Sequence, residues 1–480
     1  MILLGKDVVM QEKITSSFED NIKLFQKILR VDESFDIIYR TILIGDKKAA
    51  IFFIDGFVKD EVLQKLMQFF QGKKPGDIPD TAHGFSKSII PYGEVDLKDN
   101  VDDIITDVLS GVPILIVEGY DKIIEIDCRT YPARSVDEPE KDKSLRGSRD
   151  GFVETIVFNT ALIRRRIRNP ELTMEIVRVG KSSKTDIVIA YMNDRVDKKV
   201  LEAIRKKIRS IDVDALTMSE ESLAECLYER KWYNPFPKFK YTERPDTLAA
   251  SILEGSVGVI VDTAPSAMIL PATLFDIIEE ADDYYFPPIT GSYLRISRFI
   301  MNILAVLLTP TFVLLFKHTE YIPRWLDFIR IEDTINIPVV LQFLILEFAI
   351  DGLRLASVNT PNMLSTPLSV VAGIVLGDYT VSSGWFNSEV MLYMAFVAIA
   401  NYTQVSFELG YAFKFLRIML LVLTGIFGLW GYIIGIILCI LAVVTNKTLL
   451  GTSYIYPLVP FNAKKLFRHV FRVSLPRAKD

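Results

Sequence analysis

Three charged side chains interrupt the apolar stretch at residues 339–358, VVLQFLILEFAIDGLRLASV. At about 100° per residue of an α-helix, Glu347, Asp351 and Arg354 fall within an arc of roughly 60°. Each charge costs roughly 2.5–3.5 kcal/mol at the centre of a bilayer, whereas each Val, Leu, Ile or Phe returns about 0.3–0.6 kcal/mol. The twelve such residues in the stretch do not offset three charges. The charged face is therefore predicted to lie against partner helices or water.

Ionisable clusters inside membranes mark ion or substrate paths. We predict a cation path at Glu347, Asp351, Arg354, Asp378 and Glu408, of which Glu347 and Asp351 are the deepest. Rings of carboxylates around an oligomer axis concentrate cations and replace their hydration oxygens. Arg354 would balance one acid, hold helices in register or act in a gate. The stretch alone is also compatible with a buried helix of a soluble domain in which acid and arginine are paired.

The charge of the chain is divided between two unlike halves. From Gly291 onward there are 15 Lys and Arg against 10 Asp and Glu, and subtraction from the whole-chain 55 and 60 leaves 40 against 50 for residues 1–290. The front is acidic and the back is apolar and mildly basic.

In the back half, Asn359-Thr360-Pro361 and Ser365-Thr366-Pro367 interrupt the apolar pattern. Prolines free carbonyl groups that lipid cannot bind, so this segment is predicted to line a polar cavity.

The back half contains apolar stretches of membrane-spanning length, which predict about six spans. They are residues 294–316, 339–358, 363–381, 389–405 and 413–444, the last being long enough for a tight hairpin of two helices or for one tilted helix. Arg295 and Arg298 at the first span and the basic residues after the last place both ends in the cytosol by the positive-inside rule. The opening MILLGKDVVMQEK does not have the form of a signal peptide, so the front half is predicted to be cytosolic.

Two parts of the front half repeat each other, with apolar runs and helical spacing in the same order. The paired stretches are 47–66 with 183–204 and 107–126 with 251–270. Each unit would run hairpin, helix, helix, hairpin, with turns at 45–47, 118–121 and 180–182. An ancient duplication and two unrelated units of similar order are both compatible with this pattern.

The predicted fold class is an α+β cytosolic N-terminal region with two repeated subdomains, followed by an α-helical multi-span membrane domain. The predicted parts are a tail (1–30), subdomain 1 (31–130), a linker with a basic helix (131–170), subdomain 2 (171–290), a transmembrane domain (291–460) and a basic cytosolic tail (461–480).

The linker carries SLRGSRDGFVETIVFNTALIRRRIRNP at residues 144–170. Ser148 is predicted to cap a helix that ends before Asn169-Pro170. The basic residues are predicted to contact a neighbouring subdomain or subunit; they are Arg146, Arg149, Arg164, Arg165 and Arg166. Nucleic acid is excluded as a partner because the front half is acidic and shows no aromatic stacking platform.

The sequence shows no motif for phosphate binding, zinc binding, disulfide bonding or nucleophilic catalysis. Val179-Gly180-Lys181-Ser182 lacks a phosphate-loop glycine, because Glu175 stands at that position. The histidines and cysteines are too scattered for a zinc site, a disulfide framework or a catalytic triad; they are His83, His318, His469, Cys128, Cys226 and Cys439. We predict no catalytic, cofactor or metal site, and a protein that is not an enzyme.

RGSRDGFVETIVFNTALIRRRIRNP resembles the hallmark of the A-subunit (GerA) family of bacterial spore germinant receptors. YTERPD, VDTAPSAMILPAT and GSYLRISRF, which begin at residues 241, 261 and 291, also match, and the likeness extends from about residue 30 to about 465. FFIDGFVKDE, YPLVPFNAKKLF, Ser148 and Asp150 resemble most the branch called stage V sporulation protein AF.

The resemblance implies a multi-pass protein of the spore inner membrane or cell membrane. It also implies a homo-oligomeric ring that conducts monovalent cations beside other germination membrane subunits, whereas nutrient recognition is usually assigned to the B subunit. The implied partners are further copies of the chain, other germination subunits, the lipid bilayer and monovalent cations, without a cofactor. Two alternatives stay open: a secondary transporter that uses its acids for coupling, and a membrane-anchored scaffold whose membrane charges are structural.

Overall fold

The computed structural model describes residues 14–131, 146–229, 231–331, 333–359, 373 and 379–474. The chain forms two compact units. The first unit comprises Met1–Glu229 and Tyr241–Pro271, and the second comprises Arg230–Lys240 and Ala272–Asp480. A short segment between two parts of the first unit therefore belongs to the second.

The first unit contains two five-stranded sheets with the same spatial order. The first sheet has the order β1-β2-β4-β5-β3, with β1 (Ile37–Ile44), β2 (Lys47–Ile54), β3 (Val95–Lys98), β4 (Ile114–Val117) and β5 (Ile123–Ile126). The second has the order β6-β7-β9-β10-β8, with β6 (Leu172–Val179), β7 (Thr185–Met192), β8 (Lys240–Thr242), β9 (Val257–Val261) and β10 (Ala267–Leu270). This part of the chain is α+β, with antiparallel pairing in both sheets. The domain boundaries and the duplication stay predictions.

Eight helices accompany these strands in the described part of the first unit. They are α1 (Phe18–Leu29), α2 (Asp60–Gln71), α3 (Ala82–Ser88), α4 (Val101–Leu109), α5 (Ile156–Arg166), α6 (Lys198–Arg209), α7 (Ser219–Leu227) and α8 (Pro245–Leu253). The predicted order of hairpin, helix, helix, hairpin was wrong, because a short strand and a third helix precede the last hairpin in both halves. These strands, β3 and β8, hold only four and three residues, too few for a recognisable alternating pattern.

The central strand β2 is covered on both faces. Ala50 and Phe52 pack against α1 and α4, whereas Ala49 and Ile51 pack against α2 and α3. A strand buried on both faces reads as a continuous apolar run, which explains the sequence AAIFFI. The predicted turn at residues 45–47 is confirmed: Ile44 pairs with Lys47, and Gly45 has φ +60°.

Helix α5 begins later than the sequence indicates. Its N-cap is Thr155 and not Ser148. The Asn159 side chain bonds both the N–H and the carbonyl of Val153, which holds the preceding chain out of the helix. Ser148 instead accepts a hydrogen bond from Arg166 at 3.0 Å.

The second unit is helical. Its described helices are α9 (Leu274–Ile278), α10 (Asp282–Tyr285), α11 (Pro288–Lys317), α12 (Val339–Asn359), α13 (Thr380–Ser382), α14 (Ser388–Tyr402), α15 (Phe407–Val444) and α16 (Ala463–Val470). Helix α15 contains a sharp break at Gly428, with φ 58° and ψ −132°. After it, Gly431 and Gly435 lie against Leu423 and Leu420, so the block folds back on itself as a helical hairpin and is not one tilted helix.

Two helices among the described residues, α11 and α15, are long and apolar enough to cross a membrane. Helix α12 has the length, but Glu347, Asp351 and Arg354 all lie within it. Helix α14 is apolar and has only 15 residues. The prediction of six spans is therefore not confirmed. The proline-containing segments after Asn359, and most of the predicted span at 363–381, lie outside the described residues.

Candidate functional site

Helices α12 and α15 bring four charged side chains into contact, which we call the charged cluster: Glu347, Asp351, Lys414 and Arg417. Arg417 donates Nε to Glu347 Oε1 at 2.5 Å and Nη2 to Oε2 at 2.9 Å. Its Nη1 donates to the Ala305 carbonyl of α11 at 2.5 Å. The fork of two parallel bonds is the strongest form of arginine–carboxylate pairing.

Lys414 lies one turn before Arg417 and contacts both acids. Its ammonium group is close to Asp351 Oδ2, lies 3.4 Å from Glu347 Oε2 and donates to the Glu347 carbonyl at 3.2 Å. The cluster thus holds two acids and two bases. This balance explains how two predominantly apolar helices accommodate these four charges.

The two acids differ in exposure. The Glu347 side chain is 4% exposed, and both of its oxygens are occupied by Arg417 and Lys414. The Asp351 side chain is 33% exposed. Glu347 is therefore closed off by bases within the chain, whereas Asp351 keeps an open side.

Arg354, one turn beyond Asp351, lies against aromatic rings. Its guanidinium carbon is 4.9 Å from the ring centre of Phe407, 5.4 Å from that of Tyr402 and 5.6 Å from that of Tyr411. Within the described ranges, no acid forms an ion pair with Arg354. Of the three roles that the sequence left open for Arg354, balancing an acid receives no support from these contacts.

A cavity of about 10 Å³, enough for about one water molecule, adjoins the cluster. Its walls include Glu347, Asp351, Arg354, Asn401 and Lys414. Glu408 is not among the lining residues and lies in the first turn of α15. Asp378 lies outside the described residues. The structure therefore brings together three of the five side chains predicted for the ion path.

The charges at the start of the first predicted span are buried and paired. Arg298 donates to both oxygens of Asp283, each at 3.0 Å, and Arg295 lies 2.5 Å from Glu279. The cytosolic placement of the two ends stays a prediction.

The basic residues of the linker have different surroundings. Arg164 is fully buried and binds Asp36, whereas Arg166 bonds Asp150. Arg165 lies over the ring of Tyr131, with 4.6 Å from its guanidinium carbon to the ring centre. Arg146 and Arg149 are exposed. A contact role for these five residues stays a prediction.

Residues 23–480 match the family described as Bacillus/Clostridium GerA spore germination protein. The chain belongs to this GerA family. The predicted family is thereby confirmed over nearly the whole length.

Two relatives illustrate the range within the GerA family. The chain is 36% identical over 460 residues to stage V sporulation protein AF of Bacillus subtilis (strain 168), covering 96% of this chain and 93% of that one. It is 27% identical over 469 residues to spore germination protein KA of the same organism, covering 96% and 85%. The crystal structure of the N-terminal domain of the A subunit of the Bacillus megaterium spore germinant receptor GerK3 is 28% identical. The match covers 55% of this chain and 98% of the chain in the crystal structure, with a TM-score of 0.43.

The bases that neutralise the acids in this GerA-family chain, Lys414 and Arg417, were not predicted from the sequence. A signal was available: the two bases are three residues apart, so they share one helix face as the acids on α12 do. His469 was predicted to be isolated. Asp276, Glu279 and His469 have ligand atoms within 4.8 Å of one another, although Thr273 already bonds Asp276 and Arg295 already pairs with Glu279.

Proposed function

We propose that this GerA-family chain is a membrane subunit of a spore germination complex that assembles with further copies of itself into a cation-conducting channel of the spore inner membrane. Family membership supports a role in germination, and the apolar helices α11 and α15 support a membrane location. The proposal that the chain conducts cations as a homo-oligomer, together with other germination subunits, rests on the charged cluster.

The observation that carries conduction is the unequal exposure of the two acids. Because Glu347 is occupied by Arg417 and Lys414, it offers no free oxygen to an ion. Asp351 is one-third exposed and lines a water-sized cavity. Asp351 is therefore the carboxylate that an oligomer would repeat around its axis to attract monovalent cations. Glu347 and Arg417 would hold α12 in place beneath it.

The surface of the second unit supports an assembled, lipid-embedded state. In the most apolar 18-residue stretch of α15, only 17% is buried within the chain, and in that of α11 the share is 39%. Large side chains such as Phe427 and Trp430 are 60% and 72% exposed. Apolar surface of this extent needs lipid, further subunits or both.

Reconstitution of the purified full chain into vesicles, with a potassium-sensitive dye inside, tests the proposal. We expect passive K⁺ flux that Asp351→Asn reduces at least fivefold, because the variant keeps the shape and removes the charge. Asp327→Asn is the matched control, since Asp327 is an exposed acid of the same unit that pairs with Arg330. Equal flux in Asp351→Asn and in the original chain contradicts the role of Asp351.

A scaffold is the second candidate, and one observation favours it. The Glu347–Arg417 pair is engaged as a structural pair would be: Nε and Nη2 of Arg417 bind the two Glu347 oxygens, and Nη1 binds the Ala305 carbonyl. A scaffold predicts no flux from the chain alone or with partner subunits. It also predicts that germination tolerates Asp351→Asn but not the loss of Arg417.

A further inference from the structure

Three aromatic rings surround the guanidinium group of Arg354. Tyr402 ends α14, and Phe407 and Tyr411 lie in the first turns of α15. All three ring centres lie within 6 Å of the guanidinium carbon. At about this distance the quadrupole of an aromatic ring attracts a cation. We call these three rings the aromatic cage.

An aromatic cage is a form of site that recognises organic cations, because the π faces replace water around a weakly hydrated charge. The guanidinium group suits it well, since it is planar and stacks on aromatic faces. Among the described residues, Arg354 has no carboxylate partner, so the rings are the groups that hold its charge. Asp351, one turn earlier on α12, is engaged by Lys414.

Two of the three rings are exposed in the isolated chain. Tyr402 and Phe407 are 62% and 54% exposed, so a cation can reach them in the detergent-purified chain without displacing buried residues. Tyr402, Tyr411 and Arg354 also line the cavity beside Asp351. The occupant of the cage therefore lies beside the exposed carboxylate of Asp351.

We propose that the aromatic cage is a binding site for small guanidinium-type cations and that Arg354 is its tethered occupant. Departure of Arg354 would enlarge the cavity beside Asp351 and admit an external cation. The binding site itself does not require conduction. The consequence for ion flow, a gate at Asp351, rests on the proposed function.

Binding of radiolabelled methylguanidinium to the full chain in detergent tests the site. In Arg354→Ala the cage is vacated, and we expect saturable binding of one ligand per chain, at least tenfold above that of the original chain at equal ligand concentration. Adding Phe407→Leu to this variant removes the nearest ring and should lower binding at least tenfold. Arg330→Ala is the matched control, because it removes an exposed arginine of the same unit and should bind no more than the original chain.

A replacement variant covers the case in which Arg354→Ala does not fold. Arg354→Gln, which removes the charge and keeps much of the side-chain length, replaces Arg354→Ala if the latter does not elute as the original chain does in size exclusion. Equal binding by the original chain and the Arg354 variant overturns the proposal, as does binding that survives loss of Phe407.

Potassium flux measured on the same variants separates the site from the channel. We expect Arg354→Ala to conduct more than the original chain and methylguanidinium to reduce that excess. Binding without any flux in any variant supports the cage and contradicts the channel. Flux that depends on Asp351, together with no binding in Arg354→Ala, supports the channel and overturns the cage.

Discussion

Each unit of the chain contains an arginine–carboxylate fork whose arginine is fully buried. In the first unit, Arg164 donates Nε to Asp36 at 2.7 Å and Nη2 at 3.0 Å. In the second, Arg417 binds Glu347 at 2.5 and 2.9 Å. Both arginines are 0% exposed. The local geometry is the same, so the difference between the pairs lies in their neighbours.

The neighbours of Arg164 are neutral. Its remaining bonds go to the Ser34 hydroxyl and to the Leu172 and Asn169 carbonyls, which join α5 to the starts of β1 and β6. The fork at Arg417 instead adjoins Lys414, Asp351 and a cavity. A fork among neutral groups holds two segments together, whereas under the proposed function the fork beside Lys414 and Asp351 also supports an ion site. Substitutions of Arg417, Arg164 and Asp351 test this distinction.

The largest effect is expected from Arg417→Met. The change leaves Glu347 buried with Lys414 alone, and uncompensated buried charges cost about 3–5 kcal/mol. Denaturation of the detergent-purified chain by SDS should therefore begin at a much lower SDS fraction. Adding Glu347→Leu should recover most of the loss, because a well-packed apolar pair replaces the fork. A loss below about 1 kcal/mol in Arg417→Met would show that the pair is solvated.

Arg164→Met should destabilise the first unit by a similar amount, about 3–5 kcal/mol. Hydrogen exchange of the full chain should accelerate on the order of 100-fold or more in β1 and β6, the strands that the Asp36 and Ser34 contacts join. Arg178→Met is the control, because Arg178 is an exposed arginine on β6 paired with Asp186. Acceleration confined to α5 would mean that Arg164 does not couple the strands.

A pH-dependent effect is expected at a third buried acid, Glu125 on β5. Burial raises its pKa from the ordinary 4.5 to about 7, aided by Asp107 and opposed by Lys98 at 3.1 Å. Since the folded pKa lies above the unfolded one, the stabilising contribution is full below about pH 4.5 and is lost as the pH rises through 7. Glu125→Gln should therefore slow hydrogen exchange in β4 and β5 at pH 8. The slowing should correspond to a rise of about 1–3 kcal/mol in the free energy of opening, and the rise should be much smaller at pH 5. An equal difference at the two pH values contradicts the raised pKa.

The smallest stability effect is expected from Asp351→Asn. One-third exposure weakens its pairing with Lys414, which keeps Glu347, so the loss should be about 1 kcal/mol or less. The same SDS denaturation measures it against Arg417→Met. A loss as large as that of Arg417→Met would make Asp351 a structural residue like Glu347 and would remove the contrast between the two acids.

The sequence identified one member of each fork and missed the other. Arg164 belongs to a conspicuous basic run, and Glu347 interrupts an apolar stretch, so both attract attention. Asp36 and Arg417 lie 128 and 70 residues away from their partners in the chain. Periodicity describes one helix or strand at a time and contains no information about which faces meet.

The fold was predictable where patterns were long. The paired apolar runs and glycine turns predicted hairpins that the structure contains, and the block at 413–444 allowed the hairpin that is observed. The short strands β3 and β8 were missed, as was the later start of α5. The two strands are too short for a recognisable alternation, and the start of α5 is decided by the side-chain contact of Asn159 with Val153.

Residues Arg230–Lys240 belong to the second unit although they lie between two parts of the first in the chain. This arrangement limits where the chain can be cut into fragments. Within that segment, Lys238 donates to the Lys447 carbonyl at 2.6 Å, and the Phe236 ring meets that of Tyr454. A fragment that stops at residue 271 would retain the segment but lose those partners, leaving an apolar ring and a formerly buried ammonium group in water. Truncations intended for crystallisation or interaction assays should therefore shorten or substitute this strip, since a single cut does not yield two self-contained pieces.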